Sequence, residues 1–301
     1  MNILIFGFGN RVVGSILPAL SKTFKDINLI DVVNFSGKIN SNFENINSVT
    51  GINVFDNTNQ IKYDFIIISV PSSQQKFVLK KLNIRVNSTI LIDTPVDFKV
   101  KKYEKYFKIY VLEDIVYIPW IEEVKNLISN LSDLNLFCYY SCHEYHGVAL
   151  IQKLIQSEIK SFDRKLIKNN ELELKIKFEN ENQVVIISPS DYSKGFIFIN
   201  SKESNYLIGS EELFKFYFMD YINQVTHVDK IKGLNYIKNL SEYKLIGLEK
   251  IFSNLYLKKS DLPTIHDSFI QQKIAKDNRF KIKIFKMLNN FFKKQLKFSY
   301  E

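Results

Sequence analysis

Three glycines near the start of the chain have the spacing of a phosphate-receiving turn. Gly7, Gly9 and Gly14 follow the apolar run Asn2–Phe6 (NILIF) and lead into Ser15–Thr23 (SILPALSKT), whose apolar residues recur at helical spacing. The order strand, glycine turn, helix brings free backbone N–H groups and the positive end of a helix to one point. Gly7 permits the tight turn, and Gly9 lets the backbone come close to a pyrophosphate. Asn10 and Arg11 complete the turn, and the third glycine of G-x-G-x-x-G is replaced by Val12. A glycine turn that binds nothing is the plain alternative. The place of this one, directly between a strand and a helix, favours a dinucleotide.

The next candidate chemistry lies at the end of the apolar run Asn28–Val33. An acid there would hold the ribose hydroxyls of NAD. The residue at that point is Asn34, followed by Ser36 and Lys38. A hydroxyl and an ammonium suit a 2′-phosphate better than a bare diol, so the expected cofactor is NADP(H), with NAD(H) the alternative. Asp31 is the competing acid, although it falls inside the apolar run.

The densest polar cluster is Ser141–Gly147, with two of the four histidines, His143 and His146. The order His143-Glu144-Tyr145-His146 is one residue short of the H-E-x-x-H zinc spacing, and Cys138 and Cys142 add sulfur without ligand spacing. No metal is expected. Imidazole titrates near neutral pH and suits proton transfer coupled to hydride transfer, with Tyr145 and Tyr117 as further hydrogen-bond donors. The alternative is a histidine that caps or packs a helix.

These residues need a frame. Tyr63–Val70 (YDFIIISV) reads as a buried strand ending in Pro71-Ser72-Ser73 before a helix at Gln74–Leu82. Thr89–Ile92 is another strand, ending in Asp93-Thr94-Pro95. Strands alternating with helices imply a doubly wound parallel sheet, whose ligands bind at the carboxyl ends of the strands. Gly7–Gly9, Asn34–Lys38, Val70–Ser73 and Asp93–Pro95 should therefore line one cleft. Residues 1–120 form the expected dinucleotide-binding domain, and residues 121–301 the second domain.

That second part opens with a strand at Asn135–Tyr140 and a helix at Val148–Ile159. The alternation of Leu172–Phe178 and the runs Val184–Ser188, Gly195–Asn200 and Asn205–Gly209 read as a mainly antiparallel open sheet with one wet face. Helices follow at Glu211–Val225, Leu240–Tyr256 and His266–Ala275. A last one, Lys281–Lys297, carries Ile284, Phe285, Leu288, Phe291 and Phe292 on one stripe and reads as a helix docked on its own core.

Composition excludes several classes. The net charge is +9, but the lysines are mixed with acids, and no basic run interleaves with aromatics in a nucleic-acid reader motif. Two cysteines do not make a disulfide framework. The N-terminus has no basic segment ahead of its apolar run, as a signal peptide would. No apolar stretch approaches the roughly 18 residues of a membrane span. The expected setting is the cytoplasm.

Four segments together resemble the Gfo/Idh/MocA-type oxidoreductases, which include biliverdin reductase-like and thiazolinyl imine reductase-like members. They are the glycine turn GFGNRVVGSILPAL, the strand end SVPSS, the tripeptide Asp93-Thr94-Pro95 where the family usually has Glu-Lys-Pro, and VLEDIVYIPWIEEVKNLI at Val111–Ile128. The resemblance covers roughly residues 1–150. It implies a Rossmann domain followed by an α+β domain whose sheet often carries a dimer interface, hence a homodimer acting on a small-molecule substrate. It implies His146 first, and His143 second, as the proton-transfer residue. The family's lysine would lie at residue 94, and Thr94 has no acid–base pKa in the useful range. Reduction of a C=N, C=C or C=O bond is therefore expected over oxidation of a sugar alcohol. Other readings are a sugar-type dehydrogenase without that lysine, a cofactor-binding sensor or scaffold without turnover, and a hydrolase or lyase using the cofactor transiently.

Overall fold

The computed structural model describes residues 1–33, 49–51, 63–82, 88–118, 121–129, 131, 134–139, 144–166, 172–188, 196–202, 205–209, 229–230, 240–259 and 262–276. The expectations at Asn34, Ser36, Lys38, Cys142, His143, Glu211–Val225 and Lys281–Lys297 lie outside these residues.

The chain forms two compact units. One comprises Met1–Glu122 together with Asn239–Ile270, and the other Glu123–Lys238 with Gln271–Glu301.

The first unit is built on a six-stranded parallel sheet. Its strands are β1 (Asn2–Phe6), β2 (Leu29–Val33), β3 (Val49–Gly51), β4 (Phe65–Ile68), β5 (Thr89–Asp93) and β6 (Lys108–Leu112), in the order β3-β2-β1-β4-β5-β6. All five pairings are parallel. This is the doubly wound dinucleotide-fold order, reversing between β1 and β4.

The strands read as almost unbroken apolar runs because both faces of the sheet are covered. Successive side chains point to opposite faces, so Ile3 and Ile5 enter one core while Leu4 and Phe6 enter the other. On the first face Ile67, Leu91 and Leu112 pack with Ile16 and Leu20 of the first helix and with Leu248, Ile251 and Phe252. On the second face Ile66, Ile90 and Ile92 pack with Val78, Leu79 and Val100. Each such side chain, fully buried, contributes about 1.5–3 kcal/mol.

The first helix starts at Asn10 and passes through one π-helical turn, Val12–Ile16, into α1, Leu17–Thr23. Pro18 explains the widened turn: it has no N–H for the carbonyl of residue 14, and its ring crowds that carbonyl. The Leu17 N–H instead reaches back five residues to the Val12 carbonyl. Helix α2, Ser72–Lys81, and a 3-10 turn, Phe98–Tyr103, cover the second face. A second 3-10 turn, Asp114–Tyr117, follows β6, and α3 spans Ile121–Ile128.

The second unit carries a seven-stranded sheet of β7 (Asn135–Tyr139), β8 (Ile159–Leu166), β9 (Leu172–Phe178), β10 (Gln183–Ser188), β11 (Phe196–Asn200), β12 (Asn205–Gly209) and β13 (Asp229–Lys230). The β7–β10 and β12–β13 pairs are parallel, and the other four are antiparallel. Helix α4, Glu144–Ile155, packs on β10, with Gly147 against Ile186. The helix begins and ends earlier than its apolar spacing suggests, because Ile159 already belongs to β8. Arg164 and Lys165 in β8 obscured its period, and β8 lies at the sheet edge.

Among the described residues, no helix is long and apolar enough to cross a membrane.

Helix α5, Leu240–Tyr256, closes the first face of the first unit. It rests on the Asp114–Tyr117 turn through Gly247, where a Cβ would come within 2.3 Å of the Asp114 carbonyl oxygen. Gly247→Ala should therefore destabilise the protein by about 1–3 kcal/mol, even though alanine favours the helix by about 1 kcal/mol. Urea unfolding of the purified variant measures it, and unchanged stability would contradict this packing.

Candidate functional site

The carboxyl ends of β1, β4, β5 and β6 lie side by side, and each carries a polar feature. Gly7 follows β1 with φ +99°, the region that favours glycine. Its N–H donates to the Val33 carbonyl at 3.0 Å, tying the turn to the end of β2. A Cβ at Gly7 would lie 2.2 Å from the Ser69 carbonyl oxygen. The turn and the end of β4 can approach this closely only because residue 7 has no side chain.

Gly9 behaves differently: a Cβ there would meet nothing within 4 Å. Its carbonyl accepts from the Val12 and Val13 N–H groups at 2.9 and 3.1 Å and starts the helix. Its α-carbon therefore faces open space at the helix N-terminus, where free N–H groups favour an anion. This geometry fits the pyrophosphate of a dinucleotide. Gly7, Gly9, Asn10 and Val12 would hold it through backbone. The Val12 side chain itself is buried in the core, and Asn10 is exposed.

Arg11 leaves the turn toward β5 and β6. Its Nη2 lies 2.8 Å from Asp114 Oδ2, and its Nε 3.5 Å from Asp93 Oδ1. Burial alone would lower the guanidinium pKa, but the Asp114 and Asp93 carboxylates outweigh it and hold the pKa above its ordinary value. Asp93 ends β5 and is buried. It accepts from Ser69 Oγ at 2.8 Å and from the Thr94 N–H at 3.1 Å. Burial pushes its carboxyl above the ordinary value, and Arg11 opposes the shift.

The loop after β5 is fixed from below by Gln75, a fully buried residue of α2. Gln75 Nε2 donates to the Asp93 and Pro95 carbonyls at 3.1 Å each, and Oε1 accepts from the Asp97 N–H at 2.9 Å. The Thr94–Pro95 peptide is cis. Thr94 and Pro95 are half-buried beside the strand end, and Val70, Pro71 and Ser72 lie where β4 passes into α2. Three of the four strand-end loops singled out in the sequence thus meet, and Asn34–Lys38 lies outside the described residues.

Asp31 lies inside β2, and its carboxylate accepts from the Tyr63 hydroxyl at 2.5 Å. Burial of Tyr63 and then this bond push the Tyr63 hydroxyl pKa upward. Tyr117 ends the second 3-10 turn and packs against the first-face core. His146 and Tyr145 belong to the second unit, on the first turn of α4. Both are buried, with ring centroids 4.2 Å apart.

The residues missed by sequence reasoning are Ser69, Gln75 and Asp114. Asp114 carried a weak signal, the second of two acids that follow an apolar run. Gln75 carried another, an amide one turn ahead of Val78 and Leu79 on the buried stripe of α2.

A parallel sheet in this order, with a glycine turn at the reversal point, defines the doubly wound, Rossmann-like α/β class. The two-part fold is that of the Gfo/Idh/MocA-type dehydrogenases, as the sequence motifs imply. A myo-inositol dehydrogenase from Corynebacterium glutamicum superposes with TM-score 0.62 at 11% identity, covering 91% of this chain and 94% of its own. A scyllo-inositol dehydrogenase from Lactobacillus casei, solved with NAD(H) and scyllo-inositol, gives 0.59 at 10% identity, with 91% and 94% covered. The transcriptional regulator Gal80p from Kluyveromyces lactis gives 0.62 at 11% identity, with 95% and 90% covered. No protein-family model and no curated protein matches the sequence.

Two outcomes follow. Gly7→Ala should cost about 2–6 kcal/mol, combining positive φ with the clash at Ser69, as read by chemical denaturation. Asp93 has a raised folded pKa, so its contribution is fully present below the ordinary value of 3.8 and is lost as pH rises through the folded value. The stability of the wild type should therefore fall relative to Asp93→Asn as pH rises above 3.8 and through the folded value. Parallel pH profiles for the two proteins would contradict the shift.

Proposed function

We propose that this protein is an NAD(P)H-dependent oxidoreductase that reduces a C=N, C=C or C=O bond of a small polar metabolite. The observation that carries the reading is the Gly7–Gly9 turn. It lies at the reversal point of the sheet, clear of side chains at Gly9 and backed by a helix N-terminus. The likeness in fold to a dehydrogenase solved with NAD(H) supports it.

When bound, the nicotinamide supplies or accepts hydride. The chain binds the phosphates through the glycine turn and excludes a charged acid at residue 94, where Thr94 can only hydrogen-bond. His146 carries the proton, with His143, Tyr145 or Tyr117 hydrogen-bonding the substrate. Ser36 and Lys38 favour a 2′-phosphate, and Asp31 is already occupied by Tyr63, which supports NADP(H) over NAD(H). The open sheet of the second unit is assigned to a second copy of the chain. Its edge strand β8 exposes Phe162.

A second reading, a binding protein without turnover, is favoured by Thr94 and by the likeness in fold to a transcriptional regulator. Titrating the purified protein with NADPH and NADH, followed by nicotinamide fluorescence, tests both. Binding of NADPH above NADH is expected, and binding of neither would remove the proposal. A reductase should then turn over imines, enones or ketones in a substrate screen, whereas cofactor binding with no turnover would favour the sensor. His146→Asn should leave cofactor affinity unchanged and lower turnover by about 10²–10⁴-fold. Undiminished turnover would remove His146 from the proton path.

A further inference from the structure

We infer that Arg11 is a positioning residue that locks the glycine turn to the ends of β5 and β6 and so sets how tightly the turn receives the phosphates of a nucleotide. This rests on the nucleotide site proposed above.

Arg11 follows β1, yet of its partners Asp93 ends β5 and Asp114 follows β6, with β4 lying between β1 and β5. The side chain thus links the turn after β1 to the ends of β5 and β6. The Asp93 carboxylate and the backbone of Asp114 are fixed without it. Asp93 is held by the Ser69 hydroxyl and the Thr94 N–H. Asp114 lies in a 3-10 turn on which α5 rests through Gly247. The acids are therefore the anchor, and the glycine turn is what they hold.

The electrostatics separate this role from direct phosphate binding. Asp93 and Asp114 already take the Nε and Nη2 edges of the guanidinium, so those donors of Arg11 are turned to the acids and not to a phosphate. The phosphates are left to backbone N–H groups and the helix N-terminus, which work only at the right distance. A guanidinium reaches two carboxylates with its forked donors, whereas the compact ammonium of lysine acts as a single point. Loss of the brace should weaken phosphate binding through geometry, leaving the salt dependence of binding unchanged.

The test uses the full chain and two probes, NADH and ADP-ribose, the latter carrying the pyrophosphate without the nicotinamide. Arg11→Met and Asp114→Ala should each weaken both ligands by about 10- to 100-fold. Arg11→Lys should restore only part of the loss. The double variant should bind no worse than Arg11→Met alone, since both changes break one interaction. The slope of affinity against salt should match the wild type in every variant. Wild-type affinity in the folded variants, additive losses, or a shallower salt slope in Arg11→Met would each overturn the inference. Should Arg11→Met fail to fold, Arg11→Lys and Asp114→Ala carry the same test.

If the wild type bound neither probe, the nucleotide site would fail, yet the brace could still be read. Amide hydrogen exchange at residues 9–16 should be faster in Asp114→Ala than in the wild type. Equal protection would overturn the brace on its own terms.

Discussion

The guanidinium of Arg11 and the carboxylates of Asp93 and Asp114 are largely withdrawn from water at the strand ends. Such groups are costly to bury unless each meets a partner of opposite charge. That constraint accounts for much of the arrangement around them. The Ser69 hydroxyl must face β5, the loop after β5 must turn its Thr94 N–H inward, and the chain after β6 must curl at once into a 3-10 turn to present Asp114. Gln75, which touches none of the three side chains, holds the Asp93 and Pro95 carbonyls and so fixes the loop that carries the acid.

The fold was legible where one physical rule dominated. Asn2–Phe6 and Phe65–Ile68 announce buried parallel strands because water reaches neither face, and Leu172–Phe178 announces a half-wet sheet because it alternates. The edge strand Ile159–Leu166 was not read as a strand, and its first residue was given to the preceding helix, since Ser161, Asp163 and Arg164 leave no period of two. Lys108–Leu112 was not read as a strand, and only its last two residues fell in a motif, though it completes the sheet beside Asp93.

The site was legible in its backbone and illegible in its polar contacts. Glycine spacing reveals the turn, because Gly7 combines a positive φ with a close approach to Ser69 that a side chain would block, while Gly9 leaves the space over the helix N-terminus open. Nothing local marks Arg11 as the partner of Asp114, since the two meet only when β1, β4, β5 and β6 are laid in order. Asp31 shows the converse: spacing offered it as a cofactor ligand, and the register of β2 against β1 opposes it to Leu4 inside the sheet, where Tyr63 takes its carboxylate.

The return of Asn239–Ile270 to the first unit has a consequence for synthesis. A ribosome delivers the chain from the N-terminus at about 5–20 residues per second. All six strands of the parallel sheet are made long before α5 emerges, and until then the apolar face formed by Ile16, Leu20 and Leu112 lacks Leu248, Ile251 and Phe252. The nascent sheet must wait with one side uncovered while the second unit is translated. The anchor for Asp114 likewise forms only once Gly247 has emerged, so the cleft at the strand ends is completed long after its glycine turn is made.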